Sequence, residues 1–474
     1  MTHSSSSQGF NLLQIRPVRA LIQWPLYPYI FQIIALVVFV TLAIIGWGHF
    51  VPEYVNDKLY AKTNIVNLVI WGLWWPMMVW LAVLFGRVWC TVCPLEFVAN
   101  GAERLGRRLG VRQLILGKLL RSGAVIVGLY AIIQLCVAGA HLHRIPAYTS
   151  LFLCSLLGAA GLVGFFFKDR AFCRGFCPVG LLLGTYGRGG MLAVRSVSAQ
   201  VCANCTGKDC IMACNRTKLF GRSCPSLLNP PKLNSNRDCL VCGQCIKSCK
   251  PDNMQLILRR PFHSADDREP FASWTVTIFV MMVSGFVTGE LCSEWHDAQS
   301  VFLWLPEHFT ERFNLSSVGG WIEGVWMIGI YPLLLWFVLG ILAAFNSDNA
   351  FVVIRSWRLL ALPLAVIVST GHMAKGLAKF VSWVGFLPYA CKDPIGIKTA
   401  LEMSSKTIRQ PASLMSMTII SILGMILVIA GMYFSVREAK LANPETYYLR
   451  LAPKLMLGVF FAFIIFGWGH TRQF

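Results

Sequence analysis

The run Leu68-Val69-Ile70-Trp71-Gly72-Leu73-Trp74-Trp75-Pro76-Met77-Met78-Val79-Trp80-Leu81-Ala82-Val83-Leu84-Phe85-Gly86-Arg87-Val88-Trp89-Cys90-Thr91-Val92-Cys93-Pro94 passes from apolar to basic to cysteine. No formal charge occurs between Lys62 and Arg87. An apolar block of about 20 residues is long enough to cross the hydrocarbon core of a bilayer as a helix. No water is available there, so a span must satisfy its own backbone hydrogen bonds, and a helix does so. The run therefore predicts a transmembrane helix that ends, on one side of the membrane, in a pair of thiols.

Working outward, the same reading applies along the 474-residue chain, which is 56% hydrophobic and 14% charged. Nine blocks read as spans: 28–48, 64–86, 121–140, 147–167, 272–292, 321–345, 357–380, 413–434 and 455–470. The fifth block contains Thr, Ser and Gly, and the seventh contains His372, Lys375 and Lys379. The first follows Arg16 and Arg19, is too long for a signal-peptide core and has no convincing cleavage site, so it reads as a retained span. The fold class expected is an all-α integral membrane protein of about nine helices.

The formal charge is +20. A basic balance can signal nucleic acid, but in a membrane protein Lys and Arg mark the loops left on the inner side, so nucleic acid is not expected as a partner. Loop 87–121 carries Arg87, Arg104, Arg107, Arg108, Arg112, Lys118 and Arg121, and segment 168–271 is similarly basic. Between spans five and six, Glu290, Glu294, Asp297, Glu307, Glu311 and Glu323 stand against Arg312. Counting from an inner N-terminus reproduces this alternation as far as span six. Segment 386–411, with Lys392, Lys398, Lys406 and Arg409, departs from it.

Twelve of the 17 cysteines fall in four short motifs, all on the expected cytoplasmic side. Thiols there stay reduced, so metal binding is favoured over disulfides. Cys239, Cys242, Cys245 and Cys249 are spaced C-x2-C-x2-C-x3-C, with Pro251 following. This is the bacterial ferredoxin spacing, with the proline one residue late. Cys202, Cys205, Cys210 and Cys214 form a second run with a longer middle gap. A structural zinc site more often shows two separated C-x2-C pairs. Two runs imply two [4Fe-4S] clusters, and in such domains the fourth cysteine of each run ligates the other cluster. One set is then Cys202, Cys205, Cys210 and Cys249, and the other Cys239, Cys242, Cys245 and Cys214. Cys224, between the runs, is a spare thiol or an alternative ligand.

Three parts follow: a four-span unit at 1–190, a small cytoplasmic α+β ferredoxin-like insert at 191–270, and a five-span unit at 271–474. The insert is too short for a large apolar core, and small domains of this kind usually need metal to fold.

Arg87-Val88-Trp89-Cys90 to Cys93-Pro94 has a counterpart in Arg170-Ala171-Phe172-Cys173-Arg174-Gly175-Phe176-Cys177-Pro178, after span four. Both occur where a helix returns to the inner face. Side by side, Cys90, Cys93, Cys173 and Cys177 would form a third metal centre or a redox-active dithiol. Nearby Arg87, Arg170 and Arg174 would favour thiolates. Structural cysteines at helix ends are the plainer alternative.

Paired Cys-Pro motifs after membrane helices, followed by a two-cluster ferredoxin block, resemble the NosR/NapH/CcoG group of membrane polyferredoxins over residues 30–255. Cys173, Cys177 and Pro178 fit that group's C-x3-C-P, and Cys90, Cys93 and Pro94 are one residue shorter. The resemblance implies electron transfer across or along the membrane, linked to quinol oxidation or to maturation of copper enzymes. The last four spans lie outside it.

His49, His141, His143, His296, His308 and His470 fall at outer helix ends or in outer loops. His372 lies within span seven, with Lys375 one turn on. Ionisable residues inside a span are functional candidates, and histidine suits proton transfer from a quinol near neutral pH, so His372 and Lys375 are candidates for a quinone or proton site; a headgroup-wetted histidine and lysines that snorkel outward are the plainer alternative. Gly46-Trp47-Gly48-His49 and Gly467-Trp468-Gly469-His470 echo each other at the ends of spans one and nine. The function expected is electron transfer in a bacterial inner membrane, among lipid, redox partner proteins and quinone. The alternatives are an assembly factor for a respiratory copper enzyme and a redox-gated transporter or sensor.

Overall fold

Eight helical segments among the described residues are long and apolar enough to cross a membrane: Tyr29–Gly46, Ile65–Phe85, Pro146–Phe166, Trp274–Cys292, Ser316–Ala344, Val353–Lys392, Met417–Arg437 and Leu451–Trp468. The computed structural model describes residues 9–233, 235–261, 271–344, 351–442 and 451–470. The ninth expected span, at 121–140, is a shorter apolar helix, Ala124–Gly139. Its 16 residues reach about 24 Å at 1.5 Å per residue, less than a bilayer core of about 30 Å. Gly123 and His141, both at positive φ, bound it on either side.

The chain divides into two compact units, each drawn from several stretches of sequence. The first comprises Met1–Phe39, Leu81–Ile126 and Ser155–Arg268. It contains a three-stranded antiparallel sheet of β1 (Phe10–Asn11), β2 (Leu192–Ser196) and β3 (Met254–Leu258), in the order β1-β3-β2. Leu192 pairs with Leu258 and Ser196 with Met254, and Phe10 pairs with Leu258 on the opposite edge. Val194, Met254 and Leu256 pack with Cys239, Val241 and Ile246 of the cysteine loop, and with Ile22 from the helix Arg16–Gln23. The N-terminal segment is thus part of the scaffold of the cysteine block, tied further by Lys247 Nζ donating to the Trp24 carbonyl at 2.8 Å and by an Arg19–Asp252 ion pair at 3.1 Å.

The second unit comprises Val40–Trp80, Val127–Cys154 and Glu269–Phe474. Its helix Phe351–Trp383 packs against Trp274–Cys292, Met417–Ala442 and Leu451–Trp468. Association in lipid relies on close packing and interhelical hydrogen bonds rather than water exclusion. Both devices are present. Gly431 abuts Thr370 and Gly458 abuts Met432 so closely that a Cβ would collide. The buried Trp336 donates to Ser284 Oγ at 3.0 Å and Trp468 to the Leu291 carbonyl at 3.0 Å. Trp47, the echo of Trp468, is instead exposed, so the two Gly-Trp-Gly-His copies sit in unlike surroundings.

At one edge of this unit Asp57 accepts from Arg144 at 2.9 Å and lies 2.9 Å from His141 Nδ1. Burial works against the Asp57 carboxylate, but its bonds to Arg144 and His141 outweigh burial and lower its pKa. A depressed carboxyl pKa contributes stability that is complete above the unfolded value of about 3.9 and is lost as pH falls through the folded one. We expect the detergent-solubilised protein to lose thermal stability on acidification below about pH 4, and Asp57→Asn to narrow the difference between neutral and acid melting temperatures. An unchanged difference would show that this contact contributes nothing.

Candidate metal centres

The Cys239–Cys249 loop is shaped by two left-handed residues, Val241 (φ 58°) and Gly243 (φ 69°). A side chain at Gly243 would also strike Ile22, so glycine suits this turn twice over. The short helix Gln244–Lys247 follows. Cys239, Cys242 and Cys245 line one cavity together with Cys224, and its other walls are mostly apolar, among them Val194, Leu228, Leu233 and Leu240. The fourth thiol beside this trio is therefore Cys224. Cys214, assigned to it from spacing, is exposed and absent from the cavity lining, with its sulfur 3.8 Å from Asn215 Oδ1. The Cys224 N–H donates to the Cys210 carbonyl at 2.9 Å, linking the first cysteine run to this cavity.

Cys202, Cys205, Cys210 and Cys249 line a second, more polar cavity rimmed by Lys208, Asp209 and Lys250. Asn253 donates from its backbone to Cys249 Sγ at 3.2 Å and from its side chain to Cys202 Sγ at 3.1 Å. Such N–H contacts favour charged sulfur. Burial first, then Cys249, Cys202 and Cys205, push the Cys210 thiol up to about 11.

Cys90, Cys93, Cys173 and Cys177 lie in the same unit. Pro94 and Pro178 each open a helix, Pro94–Arg108 and Pro178–Tyr186, where a missing N–H costs nothing. Burial first, then the neighbouring Cys173, Cys90 and Cys177, raise the Cys93 thiol well above its ordinary range. Burial and then Cys173, with Cys90 also contributing, push Cys177 up to about 12. The four thiols are thus mutual electrostatic neighbours, and none is exposed. Gly180 N–H donates to Cys177 Sγ at 3.4 Å.

This tetrad abuts the ferredoxin-spaced loop. Thr91, between Cys90 and Cys93, donates to the carbonyl of Leu240, between Cys239 and Cys242, at 2.7 Å. Arg87 donates to the Arg237 carbonyl at 3.4 Å and lies 3.8 Å from Asp238. Glu96, on the first turn after Cys93, is buried and bound at Oε1 by Arg222 (2.9 Å) and Arg170 (3.3 Å) and at Oε2 by Gln32 (2.7 Å). Burial alone would raise its pKa, and the charges of Arg222 and Arg170 bring it below the ordinary value.

Among the described residues no three His, Cys, Asp or Glu side chains close on a site for a single metal ion. Thiols grouped around a cavity suit a larger body, and an all-sulfur donor set is what an iron–sulfur cluster takes.

In the second unit, His372 is buried with its ring 6.2 Å from Trp75 and 5.7 Å from Phe286, centroid to centroid. Lys375 contacts Glu294 at 2.6 Å, Ser293 at 2.7 Å and Glu290 at 3.6 Å. Of the histidines expected at helix ends and in loops, His143 accepts at Nε2 from Arg144 at 3.1 Å, and His308 stacks on Trp304. Burial, then Lys379 and Arg144, push His143 down to about 3, which keeps it neutral as that acceptor.

The chain is 30% identical over 188 residues to the ferredoxin-type protein NapH of Haemophilus influenzae, covering 36% of this chain and 63% of that one. It is 25% identical over 190 residues to NapH of Escherichia coli, covering 36% and 62%. The matched part of the chain is NapH-like. The methylamine utilization ferredoxin-type protein MauN of Methylobacillus flagellatus is 27% identical over 169 residues, covering 34% of this chain and 56% of its own. The chain thus spans less than two thirds of the length of these relatives. No family model matches, and no solved structure matches.

The sequence reading left Cys224 as a spare thiol or an alternative ligand and missed Glu96. Cys224 precedes Pro225 directly, and a proline after the closing cysteine is the bacterial ferredoxin pattern; that was the available signal. Glu96 offered none, because its partners are 74 and 126 positions away along the chain.

Proposed function

We propose that this chain is a membrane-bound iron–sulfur electron-transfer protein. It carries electrons between a cytoplasmic or quinone-pool donor and an acceptor in or beyond the membrane. Bound iron–sulfur clusters supply one-electron storage. Cys202, Cys205, Cys210 and Cys249 hold one [4Fe-4S] cluster, and Cys239, Cys242, Cys245 and Cys224 the other. Cys90, Cys93, Cys173 and Cys177 hold a third centre. The carrying observation is the 2.7 Å bond from Thr91 to Leu240, which joins the loop of the membrane-side tetrad to the ferredoxin-spaced loop through one hydrogen bond. Around these thiols the chain supplies N–H donors to sulfur, apolar walls that exclude water, and a rigid sheet. Iron and sulfide analysis of anaerobically prepared protein tests the reading.

His372 and Glu290 support a quinol as the membrane-side partner, since they place proton-accepting groups within the spans, with Lys375 as a cation beside Glu290. The assembly-factor reading needs an accessible dithiol, and the four tetrad cysteines are only partly exposed. The clusters are assigned to the cytoplasmic side of a bacterial inner membrane. A reporter fused near Arg108 should then behave as internal and one near Glu307 as external. The reverse pattern would put the cysteines in an oxidising compartment and undercut stable thiolates.

A further inference from the structure

We infer that the buried triad of Glu96, Arg170 and Arg222 sets the electron affinity of the centres held by the two adjoining cysteine sets. The inference rests on reading those thiols as iron–sulfur ligands. Each triad member is tied by the chain to one of them. Glu96 is three residues after Cys93, Arg170 three before Cys173 and Arg222 two before Cys224. Arg170 also donates to Ser226 Oγ at 3.4 Å, just past Cys224-Pro225. The side chains of Arg170, Glu96 and Arg222 are 8%, 3% and 5% exposed.

Two arginines against one carboxylate leave one net positive charge out of water. Burying ions is costly, and apolar residues of similar volume often pack as well or better. A surplus buried cation is therefore a liability unless a negative group lies near it. Thiolates ligating a cluster would supply that group. Burial opposes the charge on Arg170, while Cys173, Glu96, Cys90 and Cys242 favour it. The same guanidinium thus senses the membrane-side tetrad through Cys173 and Cys90 and the ferredoxin-spaced loop through Cys242. For Arg222, burial is again opposed by Glu96, and Cys242 adds to the opposition.

Reduction of an iron–sulfur centre adds one electron and one negative charge, and local charge and hydrogen bonding to sulfur tune its potential. A nearby cation favours the reduced form, and a nearby carboxylate disfavours it. Removing Arg222's charge and removing Glu96's charge should therefore shift the midpoint in opposite directions. A clamp that merely fastened the loops would give no such sign.

The test is an EPR-monitored redox titration of the full chain, purified anaerobically in detergent, with dithionite as the one-electron source. Arg222→Gln should lower, and Glu96→Gln raise, the midpoint of at least one centre by about tenfold in the reduced-to-oxidised ratio, or about 59 mV for one electron. Arg222→Lys, which keeps the charge, should stay near wild type. If either single variant fails to take up iron, the double variant Glu96→Gln with Arg222→Gln keeps Arg170 and the same net charge, and should titrate near the wild-type potential. Fully loaded single variants with unchanged midpoints, or with shifts of the same sign, would overturn the inference, as would a tenfold shift in the double variant. A failure of the iron–sulfur reading is separate and appears in the wild type, as a protein without sulfide or a reducible signal.

Discussion

Serine at Cys224 should strip one iron–sulfur cluster from the protein, whereas serine at Cys214 should leave iron and sulfide unchanged. Cys224 lines the cavity of Cys239, Cys242 and Cys245, and Cys214 is exposed. Cys224→Ser should therefore match Cys242→Ser, each losing about four irons, the complement of one cubane cluster. Both should also destabilise the cysteine block, because metal binding and folding are coupled. Cys239 and Cys245 pack in the core that includes Ile22 and Val194, so losing the cluster opens a void there. Iron and acid-labile sulfide per chain are the readouts. Cluster loss with Cys214→Ser and none with Cys224→Ser would restore the assignment by spacing alone.

Replacing Cys90 and Cys93 with serine should cost the same metal as replacing Cys173 and Cys177, and replacing all four should cost no more. Residues acting as one unit are non-additive. The four thiols influence one another electrostatically, and Cys93, Cys173 and Cys177 share one core with Leu95, Ala99 and Phe172. Iron content of the two pair variants and the quadruple variant measures this, with the EPR signal of the remaining clusters as a check on folding. Independent, additive effects, or wild-type iron in both pair variants, would reduce these cysteines to structural parts.

The spans were legible because lipid leaves no other way to read a block such as Leu68–Phe85: sustained apolarity without charge specifies a buried or lipid-facing helix. Ala124–Gly139 was overestimated because hydropathy does not register the positive-φ residues Gly123 and His141 that bound it. That cysteines of each run gather around a cavity was legible from spacing. Their grouping was not fully so, since spacing does not tell that Cys224 lines the cavity of Cys239, Cys242 and Cys245 while Cys214 is exposed. The contribution of Phe10–Asn11 to the sheet was hidden because its partner, Ile257–Leu258, lies more than half the chain away in sequence. Lys375 drew attention as a charge inside a span. Only the structure supplies Glu294 and Glu290 as its counter-charges, because all three come together through tertiary packing.

The most direct test of the central claim is iron, sulfide and zinc analysis of the full chain purified without oxygen, joined to EPR at controlled potential. The account predicts about eight irons from the two ferredoxin-type clusters, matched by acid-labile sulfide. Further iron should come from the Cys90, Cys93, Cys173 and Cys177 site, and reduction should give signals of interacting one-electron centres. Zinc without sulfide, in protein that shows no signal on reduction, would contradict it.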